Sequence, residues 1–155
     1  MIPRLLHQIW VGPLAPPTQW LDTWREKHPG WAYTLWTNED LTSGLWHNRN
    51  HMYAYYRMGM FNAVADLMRY ELLYNLGGVV LAADSICLHP IDELFEDGNS
   101  LYTISTEYPG NLRPSNVGAT TPLYAARPRH PFTCTLIHTL RSTRRLGPAT
   151  RTTGN

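Results

Sequence analysis

Short apolar runs alternate with amphipathic stretches along this chain, and turn-forming residues separate them. Leu5 to Val11 is an apolar run closed by Gly12-Pro13 and reads as a buried first strand. Pro16-Pro17 and Thr18 mark a helix start, with Thr18 as the cap. Trp20, Leu21 and Trp24 share one face of that helix, and His28-Pro29-Gly30 ends it. Trp31 to Trp36 is rich in aromatic strand formers and reads as a second strand. Strand, helix and strand in this order form a βαβ unit, which implies parallel pairing and a right-handed crossover. Residues 38–60 are polar and aromatic by turns, which predicts irregular structure or short helices. From Phe61 the period sharpens: Phe61, Val64, Ala65, Met68 and Leu72 recur at helical spacing, and Gly77-Gly78 supplies a left-handed cap. Val79 to Ala83 is apolar on both faces, as a central parallel strand must be. Leu101 to Thr106 and Pro122 to Ala126 are later strand candidates, and Phe132, Leu136, Ile137 and Leu140 outline a last helix. The pattern predicts an α/β fold with a mainly parallel sheet flanked by helices.

Composition narrows the class. A chain of 155 residues makes one domain and buries roughly 70% of its extended-chain surface. Apolar residues at 43% and charged residues at 16% are globular proportions. A formal net charge of +1 gives no global field toward nucleic acid or membranes. Twelve of the 13 Lys and Arg residues are Arg, which reflects either codon bias or a use for planar, phosphate-matching groups. Cys87 and Cys134 alone make no disulfide framework and no four-cysteine zinc site, which favours a reducing, cytoplasmic setting. No signal peptide and no membrane span is legible. The polar end from Thr150 to Asn155 reads as that of a fragment lacking closing elements. Arg141, Arg144, Arg145 and Arg151 suit a solvated tail, or one peripheral at an anionic membrane surface.

The densest chemistry lies between Asp66 and Asp84. Asp66 and Arg69 stand three apart and share a helix face with Asn62 and Tyr70, opposite the apolar face. As a surface ion pair they would contribute roughly 0.2–0.5 kcal/mol. As a site, Arg69 would bind a sugar or phosphate oxygen and Asp66 a hydroxyl. Asp84 ends the apolar strand, where ligands of open α/β sheets bind. It either caps the following turn with Ser85 or serves as a hard oxygen ligand for Mg²⁺ or Mn²⁺. Trp10 beside Gly12 can stack on a flat ring or fill the core. His47 and His51 have a zinc-compatible spacing without a third ligand. The absence of GxGxxG, P-loop and GxSxG motifs disfavours dinucleotide oxidoreductases, P-loop kinases and α/β-hydrolases.

Taken together, these residues resemble the glycosyltransferases whose sugar-binding region contains a DXD motif. That family includes the yeast initiating α-1,6-mannosyltransferase, enzymes of bacterial capsular polysaccharide biosynthesis and, more distantly, clostridial toxin glucosyltransferase domains. The likeness begins at Ile2 to Gly12 and continues through His28 to Trp31 and Leu35-Trp36. It is strongest from Ala65 to Phe95, returns at Ala126 to Phe132, and ends at Thr153-Gly154-Asn155. The resemblance implies a GT-A fold and a UDP- or GDP-sugar donor. It further implies Mn²⁺ or Mg²⁺, transfer with retention, and a glycan, lipid-linked or protein acceptor. It places Gln8, Ile9 and Trp10 at the nucleotide, Asp66 and Arg69 at ribose and sugar hydroxyls, and Asp84 on the metal. Where the family reads Gly-Gly-Val-Tyr-x-Asp-x-Asp, this chain has Val80 and Ala82 in place of the tyrosine and the first aspartate. Loss of a supporting partner of this kind typically costs about 10–100-fold in affinity or activity. The chain therefore reads as a metal-assisted glycosyltransferase, or as a weakened or inactive relative that binds nucleotide-sugar. A nucleotidyltransferase of related fold is a third reading.

Overall fold

A computed structural model of the chain describes residues 1–44, 46–104 and 123–142. Strands β1 (Leu5–Ile9), β2 (Ala32–Trp36), β3 (Gly78–Leu81), β4 (Leu101–Thr103) and β5 (Leu123–Ala126) form one sheet in the order β2-β1-β3-β5-β4. Helix α1 (Thr18–Lys27) links β1 to β2, which pair in parallel as the βαβ pattern predicts. Strands β1 and β3 are also parallel. The antiparallel strand β5 lies between β3 and β4, so four strands run one way and one runs against them. Residues 105, 106 and 122 of the two later strand candidates lie outside the described residues, as do Arg144, Arg145, Arg151 and Thr153 to Asn155.

Side chains alternate across the sheet, as the two-residue period of a strand requires. On one face Leu6, Val79, Leu81, Leu123 and Ala125 pack with Trp24 of α1, Trp31 and Ile91. On the other, Ile9, Val80 and Ala126 pack beneath α2 (Asn38–Ser43), α3 (Arg49–Arg57) and α4 (Phe61–Asn75). Helix α5 (Pro131–Ser142) packs against α4. All four residues of β3 are buried, in keeping with its uniform apolarity. Trp20 of α1 is exposed, so the buried stripe is Leu21 and Trp24 alone. Thr18 is the first helical residue rather than the cap; Pro17 caps the helix, and the Thr18 hydroxyl bonds back to the Pro16 carbonyl.

Two glycines turn α4 into β3. Gly77 has φ +68° and donates its N–H to the Leu73 carbonyl at 3.0 Å, a left-handed helix cap. A Cβ there would lie 2.6 Å from Pro128 Cδ, and one on Gly78 would lie 2.6 Å from the Leu5 carbonyl oxygen. His7 fastens the same junction from β1. Trp36 Nε1 donates to its Nδ1 at 3.2 Å, so Nε2 carries the proton and donates to the Gly77 carbonyl at 2.9 Å. Among the described residues no helix is long and apolar enough to cross a membrane.

Candidate functional site

β1 and β3 end side by side, with Gln8 opposite Leu81, and their chains leave the sheet at the same edge. The segments Ile9 to Leu14 and Ala82 to Asp84 form two walls of a cavity of about 580 Å³, and the start of α4 forms the third. Phe61, Asn62, Ala65 and Arg69 face it at helical spacing. The first wall is pinned at Gly12, whose N–H donates to Asn38 Oδ1 and whose carbonyl accepts from Asn38 Nδ2, both at 2.8 Å. Gly12 has φ +117°, and a Cβ there would meet the Phe61 ring at 3.0 Å, so glycine alone lets this wall approach α4.

Four of the six residues singled out from sequence line this cavity: Ile9, Trp10, Arg69 and Asp84. Half-buried Trp10 spends its indole N–H on the Leu14 carbonyl at 2.8 Å, which leaves the ring to form cavity wall. Arg69 is 15% exposed and held from two sides. Its Nη1 lies 3.6 Å from Asp66 Oδ1, and its Cζ sits 5.2 Å from the Tyr124 ring centroid. Its buried Nε has no partner, so a donor of this fixed fork is unspent. Asp66 itself, 51% exposed, is not part of the wall; it acts on the cavity through Arg69. Partial burial raises its carboxyl above the ordinary range, and the Arg69 charge offsets only part of that. Tyr70 turns to Tyr124, ring edge to ring face, and Asn62 does line the cavity.

Gln8 stands behind the cavity. It is fully buried, with Nε2 donating to the Ala82 carbonyl at 3.2 Å and Oε1 accepting from Tyr33 Oη at 2.8 Å. Both ends of its amide are thus used inside the protein. Asp84 is exposed on the turn three residues beyond β3, with no hydrogen bond or ion pair of its own among the described residues. Mg²⁺ and Mn²⁺ take oxygen ligands, usually one or two carboxylates completed by substrate phosphates and water. Among the described residues Asp84 is the single carboxylate lining the cavity, next to Ala82 and Ala83, and no three His, Cys, Asp or Glu side chains gather. This donor set fits an ion shared with a diphosphate; by itself it does not make a protein-held site. His47 lies against the Tyr74 ring, and neither it nor His51 lines the cavity.

The sequence reading placed Asn62 on the Asp66–Arg69 face but missed Phe61 and Tyr124 as site neighbours, and missed Glu71 altogether. Glu71 sits on the apolar face of α4, fully buried, with Oε1 accepting from the Asn48 N–H at 3.1 Å and Oε2 unpartnered. Burial raises its carboxyl to about 7 against the hydrogen bonds from the Asn48 and His47 backbones. A carboxylate at an apolar-face position, between Met68 and Leu72, was the available signal.

A crevice beyond the carboxyl ends of parallel strands is where open α/β folds bind ligands, and here the flanking helix offers it a guanidinium. The solved PaToxG glycosyltransferase shares that fold, with a TM-score of 0.64 at 12% identity over 88% of this chain and 59% of that one. The profile of the glycosyltransferase sugar-binding region containing a DXD motif matches residues 18–101, and the chain belongs to that family. Inositol phosphoceramide mannosyltransferase 1 of Schizosaccharomyces pombe is 32% identical over 146 residues, covering 90% of this chain and 43% of that protein. Inositol phosphoceramide mannosyltransferase 2 of the same yeast is 28% identical over 141 residues, covering 85% of this chain and 36% of that protein. The chain thus spans less than half the length of these relatives.

Proposed function

We propose that this chain takes a nucleotide-diphosphate sugar, UDP- or GDP-linked, into the cavity between β1, β3 and α4 and transfers its sugar with retention at the anomeric carbon. The observation that supports this reading most is the convergence of Trp10, Arg69 and Asp84 on one cavity at the carboxyl ends of β1 and β3. The Trp10 ring stacks on the base. Arg69, aimed by Asp66 and Tyr124, donates to sugar or phosphate oxygens. Asp84 together with the diphosphate would hold Mn²⁺ or Mg²⁺. A bound divalent ion offsets charge developing on the departing diphosphate. The remaining acceleration comes from positioning.

The relatives are named for mannosyl transfer to inositol phosphoceramide, and we extend that chemistry here: mannose as the sugar and a lipid carrying an inositol phosphate as the acceptor. Leu14, 74% exposed on the cavity wall, suits an acceptor with an apolar part, as do the exposed Met58 and Met60 at the α3–α4 corner. A lipid acceptor would place the chain at a membrane surface.

The test is nucleotide release from GDP-mannose and from UDP-sugars, with and without MnCl₂. Mn²⁺-dependent release that disappears in Asp84→Ala is the expected result; full activity in that variant would refute the reading. That Asp84 is the one carboxylate lining the cavity among the described residues favours a second reading, a relative that binds donor without turning it over. Metal-independent binding with no release of nucleotide would select it.

A further inference from the structure

The Asp84 turn is anchored through one carbonyl. Ala82 O accepts from Gln8 Nε2 at 3.2 Å, from Ser85 Oγ at 2.5 Å and from Ser85 N at 3.3 Å. Ser85 is fastened in turn to α1, where Trp24 Nε1 donates to its Oγ at 3.0 Å and its carbonyl at 3.2 Å. Gln8 is fastened to β2 through Tyr33. Strands β1 and β2 and helix α1 thus converge on the two residues that flank Ala83-Asp84, while the Asp84 carboxylate has no partner among the described residues.

The chemistry also fixes which way the Gln8 amide points. Ala82 offers only a carbonyl oxygen, so the NH₂ group must face it; the amide oxygen then faces Tyr33, whose hydroxyl must donate. Burial raises the Tyr33 hydroxyl to about 12, with smaller and opposed effects from Arg25 and Asp22 on α1, so it keeps its proton at neutral pH.

We propose that Gln8 is a positioning residue: the Tyr33–Gln8–Ala82 relay holds the backbone of the Asp84 turn so that a single preset carboxylate can share a divalent ion with a bound diphosphate. The proposal rests on the donor-binding reading and deepens it. With two carboxylates a site tolerates a loose turn, because either one can capture the ion. With one, the geometry of that residue decides the affinity, and supporting partners in metal sites typically carry about 10–100-fold.

The experiment is calorimetry of GDP and of UDP, each with MnCl₂ and with EDTA, on the wild type, Gln8→Met and Tyr33→Phe. The quantity read is the gain in nucleotide affinity due to Mn²⁺. Gln8→Met keeps the chain length and removes the amide; it should cut that gain about tenfold or more and leave the EDTA affinity, which depends on Trp10 and Arg69, unchanged. Tyr33→Phe frees the amide to turn and should cut the gain by less. A merely structural role would lower both affinities together, and that outcome overturns the proposal. So does a wild-type Mn²⁺ gain in folded Gln8→Met. If Gln8→Met does not fold, a wild-type gain in Tyr33→Phe overturns it instead. A wild type that binds GDP or UDP equally with and without Mn²⁺ overturns this proposal and leaves the donor reading standing. A wild type that binds neither nucleotide overturns both.

Discussion

Ala82 and Asp84 sit two residues apart on one turn, and the difference between them decides how much negative charge the cavity offers. Restoring a carboxylate with Ala82→Asp should therefore raise Mn²⁺-dependent donor binding and turnover, by about 10–100-fold if the added group supports the ion as such partners usually do. Titration of donor turnover against MnCl₂ measures it, and an unchanged or weakened response would mean that Ala82 is not at the motif's first position. Arg69 poses a separate question, because its planar fork is set between Asp66 and the face of Tyr124. Lysine keeps the charge and loses both the fork and the stacking. Arg69→Lys should weaken nucleotide-sugar binding by about 1.5–3 kcal/mol, the usual worth of hydrogen bonds to charged groups. Isothermal titration with GDP-mannose reads this directly.

Helix α4 places its functional stripe and its buried stripe on different faces, and its two ends are built differently. Its C-terminal end depends on Gly77, where a side chain meets both a positive φ and Pro128. Gly77→Ala should cost about 1–3 kcal/mol of unfolding free energy in urea titration. On the buried face, Glu71 carries a carboxyl raised to about 7 by burial. Between its ordinary value of 4.5 and that value, the folded chain keeps a proton that the unfolded chain has released, so stability falls as pH rises through this window. Glu71→Gln removes the effect. It should stabilise the protein by up to about 3 kcal/mol more at pH 8 than at pH 5, measured as unfolding free energy at the two values.

Over the whole molecule, His7 opposes Glu71. Burial lowers the His7 imidazole below its ordinary 6.5, outweighing the hydrogen bond to Gly77, so the unfolded chain takes up a proton first and stability falls as pH drops below about 6.5. The two slopes oppose each other where they overlap below pH 6.5. Glu71→Gln removes the opposing slope, so below pH 6.5 its thermal midpoint should climb with pH more steeply than that of the wild type; an unchanged profile would contradict the assignment. The same distinction between local and global causes separates what could be read along the chain from what could not. The βαβ opening, the amphipathic α4, its glycine stop and the all-buried β3 follow from periodicity and turn chemistry, which act over a few residues and leave their mark in composition. Arg69 and Asp84, which the fold brings to one cavity, could be picked out for the same reason: charges at set offsets from apolar stripes. The reversed β5 between β3 and β4, the removal of Gln8 from the cavity to the relay behind it, and the burial of Glu71 beneath Asn48 were not visible. Each is decided by which segments, distant in sequence, end up paired, and local spacing does not encode that choice.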